Sequence, residues 1–75
     1  MLVEKAMIFA SKAHEGMLRK GTDVPYIVHP MEAGAVAASI TSDEEVISAA
    51  ILHDTLEDTS VTEEDIEREF SKEVL

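Results

Sequence analysis

Residues 43–59 read DEEVISAAILHDTLEDT, and this stretch decides the fold. Ser42 and Glu45 stand at capping-box spacing, so a helix is expected to start near residue 43. Val46, Ile47, Ala49, Ala50, Ile51 and Leu52 follow, apolar on nearly every side. A helix without a broad polar face belongs in the middle of a bundle. Its end is expected between residues 55 and 58, where the character changes. His53, Asp54, Glu57 and Asp58 place four titratable side chains within six positions. Such an end is either a solvated helix terminus or a site.

Outward from this helix, the pattern stays helical. Leu2, Ala6, Phe9, Ala10, Ala13 and Met17 follow the spacing of an amphipathic helix over about residues 2–18, with Gly16 and Gly21 flanking its end. A loop, RKGTDVPYIVHP (19–30), carries glycine and proline breaks and a short β-branched piece. Pro30 suits the first position of a second helix, over about 30–40, because its missing N–H costs nothing there. On the other side, Thr62 and Asp65 repeat the capping-box spacing, and Val61 and Ile66 are placed as a hydrophobic staple. A fourth helix would bury Ile66, Phe70 and Val74. No repeat or low-complexity tract is present. The expectation is an all-α bundle of about four helices.

Seventy-five residues allow one domain, and one this short is marginal unless stapled or assembled. Without cysteine there is neither a disulfide nor a thiolate metal site. The close on Val74-Leu75, an apolar pair with no stop signal, is the pattern expected of a fragment or truncated gene product. Exposed inner faces of such a bundle would favour a homo-oligomer. No secretory signal and no apolar run long enough to span a bilayer are visible, so a cytoplasmic location without membrane partners is expected.

The net charge of −10 lies entirely in residues 43–75, where twelve acids face two bases; residues 1–42 hold four of each. That excludes sequence-independent binding of long nucleic acid, which needs an extended basic face. It leaves room for a small phosphorylated ligand and for a divalent cation that offsets the acidic excess.

His53 and Asp54 point about 100° apart on a helix, yet both can reach an ion held between their directions. Imidazole nitrogen with carboxylate oxygen suits manganese, iron or zinc rather than calcium. Two ligands hold an ion weakly, and His29, at the loop–helix junction, is the best third. A set without sulfur leaves open positions for water or phosphate. Each feature also has a plain explanation. His-Asp pairs are common on helices, and His29 before a proline could simply cap a helix. His14, near Ala10 and Met17, is expected to be a packed core histidine, and Tyr26 to pack the loop.

Glu57 and Asp58 stand three and four residues beyond Asp54, on roughly one helix face. Crowded carboxylates repel and raise one another's pKa, which destabilises the fold unless a cation offsets it. A carboxylate beside a metal could also orient or deprotonate an attacking water. Arg19 and Lys20 are adjacent loop cations, either solvated or able to meet a phosphate or a base; arginine can do so with two parallel hydrogen bonds.

Taken in order, FASKAHEGMLRKGTDVPYIVHP, AAILHDTLEDT and FSKEVL resemble the hydrolase half of RelA/SpoT-type enzymes, and especially the small stand-alone members of that HD phosphohydrolase family. The resemblance covers essentially all 75 residues, as the N-terminal portion of a single HD domain. It implies an all-helical HD bundle that uses Mn²⁺ to remove the 3′-pyrophosphate of the guanine nucleotides ppGpp and pppGpp. By position, it implies that His29, His53 and Asp54 are metal ligands and that Glu57 and Asp58 are the catalytic acidic pair. Arg19 matches the substrate-binding cation near the guanine; the loop is one residue longer than in some members, which keeps Lys20 as the alternative. A fourth ligand, an aspartate, and the later helices of the nucleotide pocket have no counterpart before Leu75. The alternative function is therefore a non-catalytic oligomerising or interaction module derived from an HD domain.

Overall fold

Four helices in sequence order build the chain: α1 (Leu2–Ala13), α2 (Val28–Ala38), α3 (Glu44–Asp58) and α4 (Glu63–Glu69). The computed structural model describes residues 1–70 and Val74. Among these the sole β feature is one antiparallel bridge between Leu18 and Pro25. The all-α expectation holds.

The central place of α3 follows from its sequence. Helices α1 and α2 both pack against it, and its buried side chains, Ser48, Ile51, Leu52, Asp54 and Thr55, recur at helical spacing. Val46 and Leu56 reach solvent, so α3 is less uniformly buried than its composition suggests. Ala6 and Ala10 of α1 are fully buried. With only a methyl each, one turn apart, they let α1 lie close against Ile51, Leu52 and Ile66. On α2 the small residue is Gly34. A Cβ built there would stand 2.6 Å from Ile51 Cγ1, so only glycine permits this approach. Phe9 and Phe70 meet edge to face at 5.5 Å and close the α1–α4 side.

The helix ends show how local chemistry decides boundaries. At α4 the expected capping box is complete: the Thr62 side chain accepts from the Asp65 N–H, and the Asp65 carboxylate accepts from the Thr62 N–H. At α3 the cap is Asp43 rather than Ser42, its carboxylate accepting from the Glu45 N–H at 2.9 Å. Both residues carry a capping oxygen. Asp43 has the extended backbone of a cap, and the positive end of the helix favours its charge. Helix α1 stops at Ala13, earlier than expected, and Gly16 turns the chain at φ +80°. Helix α2 begins at Val28, two residues before the expected start. Pro30 sits in its first turn, where the backbone N–H groups have no partner within the helix.

The loop between α1 and α2 is held from both sides. Tyr26 N–H donates to the Met17 carbonyl at 2.8 Å and Arg19 N–H to the Val24 carbonyl at 2.8 Å, with Gly21 at φ +77° in the turn between. This pairing fixes Tyr26 and His29 at the entrance to α2, facing the last turns of α3.

Candidate metal centre

Where α3 leaves the core, Asp54 remains buried while His53 beside it reaches solvent. The Asp54 carboxylate is the centre of the constellation. Its Oδ1 lies 3.0 Å from His53 Nε2, and its Oδ2 lies 3.0 Å from His29 Nε2, delivered by the first turn of α2. One donor atom from each of His29, His53 and Asp54 falls within 4.8 Å of the others. Gly34, on the helix that carries His29, permits the close approach of α2 to α3 at Ile51.

The proton positions follow from geometry. His53 Nδ1 is 2.8 Å from the Ala50 carbonyl oxygen, which can only accept, so Nδ1 carries hydrogen. In the neutral ring the Nε2 lone pair then points at a carboxylate oxygen. Two electron-rich atoms at 3.0 Å need a cation between them, a proton or a metal. A histidine that donates its other N–H to a backbone carbonyl is also the usual arrangement of a metal-ligating histidine. The donor set of two imidazoles and one carboxylate therefore fits a first-row divalent ion and leaves coordination positions open.

Tyr26, assigned only a packing role from sequence, enters the same group. Its hydroxyl lies 2.9 Å from Asp58 Oδ2 and 3.1 Å from Asp54 Oδ2. Burial, and next the hydrogen bonds to Asp58 and Asp54, push the phenol pKa well above its ordinary value, so the group stays a neutral donor. The ring lies against His14 at 4.8 Å between centroids and edge-on to His29 at 5.8 Å.

Of the acidic pair, the structure brings Asp58 into this cluster through Tyr26 and leaves Glu57 exposed. Arg19 pairs with Glu32 of α2 at 3.3 Å, which holds its guanidinium along the helix that carries His29. Lys20 is exposed in the loop.

His14 is buried, as expected of a core histidine, yet neither ring nitrogen has a hydrogen-bond partner among the described residues. Burial lowers its pKa, helped by His29, against the opposing charges of Asp54 and Asp58. The sign of its pH linkage follows. Above the ordinary value near 6.5 both folded and unfolded chains hold a neutral ring. As pH falls through that value the unfolded chain takes up the proton first, and stability is lost. His14→Phe keeps a ring against Tyr26 and removes the titrating group. Urea midpoints at pH 7.5 and 5.5 should therefore fall further for the native chain than for the variant. Equal falls would show that His14 contributes nothing to the acid limb.

Comparison with known proteins adds family to geometry. A family model described as an HD domain matches residues 6–75. A GTP pyrophosphokinase of Myxococcus xanthus is 41% identical over 73 residues. Guanosine-3′,5′-bis(diphosphate) 3′-pyrophosphohydrolases of Aquifex aeolicus and Haemophilus influenzae are 43% identical over 72 residues and 42% over 67. These matches cover 97%, 96% and 89% of this chain, but the chain spans about a tenth of the length of each relative.

Proposed function

The chain belongs to the HD-domain family, and we propose that it contributes metal-holding and proton-transfer residues to hydrolysis of the 3′-pyrophosphate of guanosine tetra- and pentaphosphate. The observation that carries this reading is the convergence of His29, His53 and Asp54 on one point, in a chain similar to proteins named for that hydrolysis. The ion we assign is Mn²⁺, held by these three residues. When bound it supplies positive charge that polarises a phosphoryl oxygen.

The remaining roles belong to the protein. His53 holds its ring orientation through the Ala50 carbonyl, so Nε2 stays aimed inward. Asp58, fixed by Tyr26, is the base that takes a proton from the attacking water, and exposed Glu57 at the rim orients that water or returns the proton. In the reaction, the water oxygen bonds to the phosphorus attached to the 3′-oxygen. The bond between that phosphorus and the 3′-oxygen breaks, releasing pyrophosphate and leaving a 3′-hydroxyl. Arg19, or its neighbour Lys20, meets the guanine or a phosphate, and its pairing with Glu32 keeps the Arg19 guanidinium in place until substrate arrives. The substrate would then be a cytoplasmic nucleotide and not a long nucleic acid.

Pyrophosphate release from ppGpp with Mn²⁺ tests this, run beside a His53→Ala control. Release that the substitution abolishes is the expected result. No release from the native chain would overturn activity in these 75 residues.

A further inference from the structure

The Tyr26 hydroxyl makes hydrogen bonds that the packing of its ring does not require. Asp54 and Asp58 stand four residues apart on α3, where like charges repel. A hydroxyl from a different part of the chain, the end of the α1–α2 loop, sits between them at 3.1 and 2.9 Å. The hydroxyl has little freedom to move, because its ring is bounded by buried His14 on one side and by His29 on another. Asp54 Oδ2 thus has two neighbours, His29 Nε2 and the Tyr26 hydroxyl, while Oδ1 has His53 Nε2.

We infer that Tyr26 is a positioning residue. Its hydroxyl sets the rotation of the Asp54 carboxylate relative to the two imidazoles and ties Asp58 to the same point. This rests on the metal reading above. The physical argument is degeneracy. A carboxylate turning about its last bond presents either oxygen, or neither, to a given neighbour. Each hydrogen bond from a fixed donor removes part of that freedom before an ion arrives. Asp58, on the exposed side, has even more freedom to lose. Partners of this kind behind a ligand commonly change metal affinity about 10–100-fold.

Tyr26→Phe removes the oxygen alone and keeps the ring against His14 and His29. Titration calorimetry with Mn²⁺ on the full chain should show affinity weaker by about tenfold, a loss larger than any fall in the urea midpoint of the metal-free chain explains. Equal Mn²⁺ affinity in the two proteins overturns the inference. So does weaker affinity that merely tracks a lowered midpoint, which is the mark of a structural role. If the native chain takes up no Mn²⁺, the metal reading itself fails. The carboxyl carbon resonances of metal-free Asp54 and Asp58 then decide the Tyr26 assignment. Shifts at both in Tyr26→Phe support the shared hydrogen bond, and unmoved resonances overturn it.

Discussion

His53→Ala and Asp54→Ala should each reduce Mn²⁺ affinity by more than about a hundredfold, beyond the 10–100-fold typical of residues that only support a ligand. The expectation rests on how few donors converge. His29, His53 and Asp54 are the three described residues whose donor atoms cluster, and a divalent ion held by two protein groups competes poorly with water. Asp54 matters most, because its two oxygens face the two imidazoles and its side chain is the most buried of the set. Removing it also leaves two histidines facing each other across 6.3 Å between ring centroids. Asp54→Asn is the sharper control, since it keeps the shape and removes the charge. Affinity should also fall on acidification, because a protonated imidazole has no lone pair to offer an ion. Mn²⁺ titrations of the native and substituted chains at pH 7.5 and 5.5 check both statements. Unchanged affinity in Asp54→Ala would remove it from the ligand set, and affinity independent of pH would contradict histidine ligation.

Much of this was legible in the sequence because it depends on short spacings. The order of apolar residues in α3 gives its central position, and the adjacency of His53 and Asp54 at its wet end follows without a structure. The Thr62–Asp65 box is equally local. Boundaries were harder, because Ser42 and Asp43 both offer a capping oxygen one residue apart. The acidic pair shows where counting falls short. At 100° per residue, Asp58 lies about 40° round the helix from Asp54 on one side, and Glu57 about 60° on the other. Tyr26 comes in on the Asp58 side and takes that carboxylate. Its partners are 28 and 32 residues away in sequence, a separation at which no spacing rule operates. The pairing of Arg19 with Glu32 was hidden for a similar reason, since it depends on how the loop folds back along α2.

Ile51→Ala should remove about 2–5 kcal/mol of stability, and this is the largest expected effect on the fold. Ile51 is fully buried and belongs to the core cluster that joins α1, α3 and α4 among the described residues. A chain of 75 residues has only about 4–11 kcal/mol to lose at typical stability per residue. Gly34→Ala is expected to destabilise for the opposite reason. The new methyl would meet Ile51 Cγ1 at 2.6 Å and Cδ1 at 3.1 Å, an overpacking cost of about 1–3 kcal/mol. Relief of glycine's helix penalty offsets about 1 kcal/mol of that. The two changes should not add. In the double variant, the alanine methyl at position 34 occupies space that the isoleucine side chain vacated, so each substitution softens the other. The double variant should be more stable than the sum of the singles predicts by about 0.5–3 kcal/mol. Urea unfolding of the four proteins gives this coupling directly. Additive losses would mean that α2 and α3 adjust their separation freely. The distance from His29 to Asp54 would then have to be set by the Tyr26 loop instead of by the contact at Gly34.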